Sequence, residues 1–331
     1  MNTKRICFFD NCKAILIFLV VFGHFVNIIY TPITQRMGIV IYFFHIPLLV
    51  FCSGYFASFN SKKILSKNLY PYIVFQTFYI IFMIFVMKEN RPLQYTNPYW
   101  ILWYLFALAI WKMLVPFIDS PTLKGKTRNF CILLVLALLA GFDSVTGYYL
   151  SLSRIIVFFP FFALAYYIKQ QFDFEEFLLF FKQKKIKIIS LCVFTLFLTL
   201  AVIFANPENF DISWLYGALP YKKWNYSIWH RFWFMMSAFA AIPMLCSFVP
   251  NKKCFLTHIG QRSLFVYLIH GFFIQLSIKF NYFAILPCKI IMCFLSAVIT
   301  VFILTRKPVV KIFSPLTDFD SLKELLKRNR T

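Results

Sequence analysis

Charge is scarce in this sequence. Of 331 residues, 14% are Asp, Glu, Lys or Arg, where a soluble domain carries about 25%. Hydrophobic residues make up 61%, and phenylalanine alone occurs 45 times. A soluble fold of this length could not hide that much apolar surface, because most of its residues would touch the surface. Lipid must therefore be the solvent. Catalytic fingerprints are missing as well. There is no P-loop, no G-x-G-x-x-G, no H-E-x-x-H and no G-x-S-x-G, which takes support from ATP-driven transport and serine-elbow hydrolysis. The nine cysteines form no C-x-x-C pair and fall mostly in apolar runs. They read as small core residues, not as a disulfide framework or metal site. No small-residue cleavage site follows the first apolar run, which is long enough to span and is read as a membrane segment, not a signal peptide. Soluble domains, low-complexity linkers and clear internal repeats are also missing.

What is present is a series of apolar runs. A spanning helix needs about 20 mostly apolar residues. Ten candidates lie near 13–30, 38–59, 69–87, 99–118, 130–149, 150–169, 186–205, 228–249, 262–280 and 286–305. Gly147-Tyr148-Tyr149 is the best turn between the fifth and sixth. If the N-terminus is cytoplasmic and the spans alternate, the inner side receives Lys4, Arg5, Lys13, Lys62, Lys63, Lys67, Lys124, Lys126 and Arg128. It also takes Lys169, Lys182, Lys184, Lys185, Lys187, Lys252, Lys253, Arg262 and seven more from Arg306 to Arg330. That makes 24 of 34 basic residues, with Lys112 a candidate 25th. The positive-inside rule then favours an all-α, polytopic bundle of ten transmembrane helices in the cell's inner membrane, with both termini cytoplasmic. The net charge of +22 reads as attraction to anionic lipid at the cytoplasmic face, not to nucleic acid. A polyanionic cytosolic substrate such as a coenzyme A thioester would suit the same face, although lipid alone explains it. The expected organisation is one membrane domain, 1–314, followed by a short polar cytoplasmic tail, 315–331, which reads as an amphipathic surface helix.

Ionisable groups at membrane depth are expensive and mark function by default. In DNCKAILIFLVVFGHF, Lys13 and His24 are eleven residues apart. That spacing returns the side chain to within about 20° of its starting face and raises it by about 16 Å. Lys13 at the membrane edge would leave His24 near the midplane, with Asn27 extending the stripe. An edge cation could meet phosphate and a deep imidazole could move a proton. The rival reading is a histidine that hydrogen-bonds a neighbouring helix. His45, in FHIPLLVFCSGYF, lies at a similar depth. Pro47 can kink its helix and open backbone carbonyls to a cavity, and Ser53-Gly54 permits close helix approach. Trp100, Trp103 and Trp111 read first as an aromatic belt, most strongly Trp100. Arg154 can snorkel to the outer interface, pair with Asp143, or meet an anionic substrate group. Ser263, Tyr267 and His270 share one face. In the loop 206–227, Trp214, Tyr216, Tyr221, Trp224 and Tyr226 could hold a sugar ring or form an interfacial cluster.

These residues resemble the membrane acyltransferase-3 family, and most closely its fucose 4-O-acetylase-like branch. The family opens with an acidic residue, a basic residue, ten residues and a histidine, which here are Asp10, Lys13 and His24. D-N-x-K followed by VVFGH is similar to the branch pattern. FHIPLLVFCSGYF, PYWILWYLFAL, LSRIIVFFPFFALAYYI and RSLFVYLIH resemble its later segments in the same order. Lys13 stands where many members have arginine, so a phosphate contact there would be a point charge instead of a bidentate fork. Ala165 replaces a frequent glycine. The resemblance implies acyl-CoA-dependent O-acylation, usually acetylation, of an extracytoplasmic carbohydrate, with a glycan or glycolipid as acceptor. It implies no bound cofactor beyond the acyl-CoA co-substrate. His24 is the implied catalytic residue, acting as general base or through an acyl-imidazole, and Asp10 and Lys13 are its donor-binding or catalytic support. His45, Trp103, Arg154 and His270 are expected to line the pocket. The alternative is a carrier or flippase for glycans or lipid-linked intermediates, against which stand the missing repeats and the predominance of histidine over paired acids.

Overall fold

The computed structural model describes residues 6–90, 92–145, 147–204, 210–223, 225–283 and 288–328. Lys4, Arg5 and Arg330 of the inner charge set, and Trp224 with 206–209 of the long loop, lie outside the described residues. Among the described residues every regular element is helical. The chain begins with α1 (Cys7–Val26), α2 (Pro32–Tyr42) and α3 (His45–Tyr55). α4 (Ser61–Ile64) passes through a π-turn (Leu65–Leu69) into α5 (Tyr70–Phe85). There follow α6 (Trp103–Ile118), α7 (Leu123–Leu139), α8 (Leu152–Gln171), α9 (Phe174–Lys182) and α10 (Lys184–Phe204). A 3₁₀ turn, Ile212–Tyr216, precedes α11 (Ile228–Phe248), α12 (Phe255–Gln261) and α13 (Ser263–Lys279). The last helices are α14 (Lys289–Leu304), α15 (Lys307–Thr317) and α16 (Phe319–Arg328).

Each of the ten expected segments falls on a helix, but length and composition qualify fewer as membrane spans. Five helical stretches are long and apolar enough: Cys7–Val26, Pro32–Tyr55, Ser61–Phe85, Tyr149–Gln171 and Ile228–Phe248. α14 and α15, bent by 72°, would make a sixth. α6 and α13 are apolar but shorter. α14 turns an apolar face outward. Cys293, Ala297, Val301 and Leu304, at helical spacing, are buried, while Phe294, Val298, Ile299 and Phe302 are exposed on the other side. A helix apolar all round suits a membrane and not water.

Boundaries moved where polar residues have partners that composition does not reveal. α1 starts at Cys7 instead of near residue 13. Asn251 Oδ1 accepts from Phe8 N at 3.1 Å, and Asp10 sits in the first turn, where a negative charge suits the helix dipole. Asn11, fully buried, donates to the carbonyls of Pro250 (2.8 Å) and Lys252 (3.0 Å) and accepts from Thr257 Oγ1 (2.7 Å). α7 starts at Leu123, capped by Thr122 Oγ1, which accepts from Gly125 N at 3.1 Å. It ends at Leu139, so the break before α8 is longer than a tight turn. Gly147, Leu150 and Ser151 in that connection have φ of 33°, 48° and 53°.

Two glycines set how closely the helices approach. A Cβ on Gly54 of α3 would lie 2.1 Å from the Phe162 carbonyl oxygen of α8, and one on Gly260 of α12 would lie 1.7 Å from the Asp10 oxygen of α1. The kink foreseen from Pro47 is a break between α2 and α3 at Phe43–Phe44. Proline offers no N–H and crowds the carbonyl four residues back. The polar tail expected from residue 315 is helical through Arg328, and α15 runs across the 314/315 boundary. It docks on the π-turn. Lys67 Nζ pairs with Asp318 Oδ2 at 3.3 Å, Ser66 Oγ donates to Asp320 Oδ2 at 3.2 Å, and Tyr70 Oη donates to the Pro315 carbonyl at 2.9 Å.

Candidate active site

The face of α1 that carries Lys13, Ile17, Val20, His24 and Asn27 opens on a cavity of about 470 Å³. Five other helices help to complete it. α2 and α3 contribute Tyr42, His45 and Ser53, α6 contributes Trp103, Tyr104 and Leu108, and Trp100 lies just before α6. α8 contributes Arg154, and α13 contributes Ser263, Tyr267 and His270. Of the residues singled out from sequence, Lys13, His24, His45, Trp103, Arg154 and His270 all line this one space. Asp10 does not. It is buried, and its backbone carbonyl meets Gly260 where α1 and α12 touch.

His24 is held on three sides. Tyr42 Oη lies 2.9 Å from Nδ1. The Trp100 ring meets the imidazole edge-on at 4.3 Å between centroids, and His270 stacks on it at 5.5 Å. A phenol on Nδ1 fixes the ring and leaves Nε2 for chemistry. The other two histidines bond within their own stretch of chain. His45 Nδ1 donates to the Ile41 carbonyl at 2.7 Å, across the helix break. His270 Nδ1 donates to the carbonyls of Val266 and Tyr267, both at 2.9 Å. A carbonyl only accepts, so both rings carry the proton on Nδ1. The Nε2 of His270 is buried and, among the described residues, has no hydrogen-bond partner. The rival reading of His24, a histidine bonded to a neighbouring helix, describes its contact with Tyr42 of α2; His45 bonds across the break between α2 and α3, and His270 within its own helix.

Arg154 sits in an aromatic cage. Its guanidinium carbon is 5.2 Å from the Trp103 ring and 5.0 Å from the Tyr148 ring, and Nε donates to the Tyr216 carbonyl at 3.2 Å. Ser153 Oγ donates to the Gly217 carbonyl at 2.7 Å, so the start of α8 staples the 210–217 segment over the cavity. Leu150 and Ser151, just before it, hold left-handed backbone, which costs a non-glycine residue about 1–3 kcal/mol and clusters at functional sites. Burial pushes the Tyr216 phenol up to about 12, against the pull of Arg154, so it stays a donor at working pH. Asn27 and Tyr216 also line a second chamber of about 670 Å³, with Tyr30, Gln35, Asp211, Trp214 and His230.

Several site residues were not legible as such. Trp100, read as a belt residue, packs on His24. Tyr42, Tyr104 and Tyr216 enter from other elements. Tyr104 Oη shares a hydrogen bond with Ser53 Oγ at 2.7 Å, and Tyr267 Oη donates to the Ile101 carbonyl. The aromatic loop divides by role. Trp214 and Tyr226 are buried and stacked at 5.4 Å, Tyr221 Oη donates to the Leu138 carbonyl at 2.5 Å, and Tyr216 faces the cavity. Arg231, fully buried, ties this cluster together through Tyr226 Oη (3.0 Å) and the carbonyls of Ala137 (3.3 Å) and Leu219 (3.0 Å). Trp111, also buried, is structural: its indole donates to the Ile155 carbonyl at 2.9 Å. Among the described residues no group of three or more His, Cys, Asp or Glu is placed to hold a metal ion.

No curated protein and no solved structure matches the chain significantly. The acyltransferase domain model matches residues 7–306, which takes in α1 through α14 and every residue lining the cavity. The chain is a multi-pass membrane protein that belongs to the acyltransferase-3 family.

Proposed function

We propose that the protein is an O-acetyltransferase of the fucose 4-O-acetylase-like branch, moving an acetyl group from cytosolic acetyl-CoA to a sugar hydroxyl of a cell-surface or envelope glycan. In this reading ten helical segments cross the inner membrane, both termini are cytoplasmic, and anionic lipid meets the basic inner face. The observation that carries it is one cavity lined by Lys13, His24 and Arg154 together. The donor enters at the Lys13 end, and its phosphates meet that ammonium. The acceptor enters past Asn27 and Tyr216, where the second chamber adjoins.

The thioester carbonyl is placed beside His24. Nε2 takes the proton of the sugar hydroxyl as its oxygen attacks the carbonyl carbon. The C–S bond breaks, and the proton passes to the departing sulfur, giving an ester and free thiol. For Nε2 to act as base the proton must sit on Nδ1, with Tyr42 Oη as its acceptor. A covalent route through an acyl-imidazole uses the same nitrogen. Arg154 lines the space where charge develops on the carbonyl oxygen, and a guanidinium there would stabilise it; His45 and His270 line the same cavity. Trp103 and Trp100 exclude water. Family membership supports transfer over the carrier reading.

The test uses purified protein in lipid, with labelled acetyl-CoA and glycan oligosaccharides as acceptors. The wild type should transfer label to an ester-linked position, and His24→Ala should not, at equal protein level. Transfer retained by His24→Ala would overturn the assignment of the base. Export of unmodified glycan without any transfer would favour the carrier.

A further inference from the structure

The Lys13 end of the cavity holds more positive charge than one ammonium. On α6, Tyr104 and Leu108 line the cavity, and Lys112 follows at the next i, i+4 step, on the same stripe. It is half-buried, and its Nζ donates to Asn68 Oδ1 at 3.0 Å. Asn68 is itself buried, in the π-turn Leu65–Leu69, an irregularity that is frequent at functional sites. Lys67 precedes Asn68 in that turn, Lys63 lies in α4, which with the turn packs on α6, and Lys13 lines the cavity beside Leu108, one turn before Lys112. Four separate elements thus bring four ammonium groups to one place: α1, α4, the π-turn and α6. The hydrogen-bond partner of Lys112 is a neutral amide.

Such an arrangement is costly on its own terms. Removing an ammonium from water is unfavourable unless it is paired, and like charges in a low-dielectric setting repel. A helix that needed only to pack would place leucine at 112. A bound polyanion reverses both costs, and lysine is a well-attested point-charge partner for phosphate. We propose that Lys112, with Lys13, Lys63 and Lys67, forms a phosphate-ester binding site at the inner mouth of the cavity, which holds the nucleotide phosphates of the acyl donor. This rests on the acyl-CoA reading above. The rise of about 16 Å from Lys13 to His24 is left for the donor's flexible arm, which carries the thioester inward. Asp318, paired with Lys67 at 3.3 Å, is the carboxylate that a phosphate displaces.

The experiment measures binding of coenzyme A, inorganic pyrophosphate and acetyl-pantetheine by calorimetry, on the full chain in phosphatidylcholine nanodiscs. Lys112→Met should weaken coenzyme A and pyrophosphate about tenfold, the loss of one charge-assisted hydrogen bond. Lys112→Arg should recover part of it, and acetyl-pantetheine, which has the arm without the nucleotide, should bind the wild type and Lys112→Met equally. Unchanged coenzyme A affinity in Lys112→Met, with unfolding as in the wild type, would overturn the site and leave the acyl-CoA reading standing. Lys112-dependent binding of pyrophosphate with no binding of coenzyme A would keep the anion site and sink the acyl-CoA reading. Loss of the Lys112 dependence in nanodiscs containing phosphatidylglycerol would identify a lipid headgroup as the occupant and overturn the assignment to the donor.

Discussion

Tyr42→Phe removes the phenol hydroxyl that hydrogen-bonds His24 Nδ1. The phenol oxygen is 2.9 Å from Nδ1, and the substitution removes that atom alone. The ring is retained, with its edge contact to His45 at 4.7 Å and its tilted contact to Tyr216 at 5.4 Å between centroids. Packing should therefore survive, and the melting temperature should move by only a few degrees. Catalysis should not survive intact. A hydrogen bond to a group that becomes charged in the transition state is worth about 1.5–3 kcal/mol, and each 1.36 kcal/mol is tenfold in rate. The turnover number should therefore fall roughly 10- to 100-fold. The interaction strengthens as the imidazole takes a proton, so the loss should appear in kcat with KM for the donor nearly unchanged. The assay is initial-rate acetyl transfer by purified protein, at varied acetyl-CoA and saturating acceptor. Wild-type kcat in Tyr42→Phe would refute the account of how His24 is activated. A loss confined to KM would assign Tyr42 to binding instead.

Three further outcomes follow from the packing. Gly54→Ala puts a methyl 2.1 Å from the Phe162 carbonyl and must part α3 from α8, so thermal unfolding in detergent should show a loss of about 1–3 kcal/mol. His270→Phe should behave oppositely. Its ring bonds only carbonyls of its own helix and leaves a buried Nε2 unpartnered among the described residues, so stability should be unchanged within about 1 kcal/mol while transfer falls; a large loss of stability with normal specific activity would make it structural. Arg231→Met leaves the carbonyls of Ala137 and Leu219 without their donor and should cost roughly 3 kcal/mol, read from the unfolding midpoint.

The sequence makes the apolar segments legible because lipid leaves a helix no alternative. The Lys13–His24–Asn27 stripe is legible too, since one helical period decides which residues share a face. Periodicity is silent on which faces converge. Tyr42, Trp100 and Tyr216 reach the cavity from three different elements, and each also fits an interface or a loop. Asp10 belongs to the motif by spacing, yet the close approach at Gly260 puts it at a helix contact. Residues 7–12 precede the apolar run read from the sequence at 13–30, and the bonds of Phe8 to Asn251 and of Asn11 to the 250–252 carbonyls hold them in α1. Arg231 goes unmarked in the sequence and is a buried clamp, because its carbonyl partners carry no side-chain signal.

The most direct test of the central claim is the acetyl content of surface glycans, measured by mass spectrometry in three strains of the host: wild type, deletion, and deletion carrying His24→Ala at normal protein level. Acetyl esters should disappear in the deletion and stay absent with the variant. Unchanged acetylation in the deletion, with glycan missing from the surface, would contradict the account and leave a carrier.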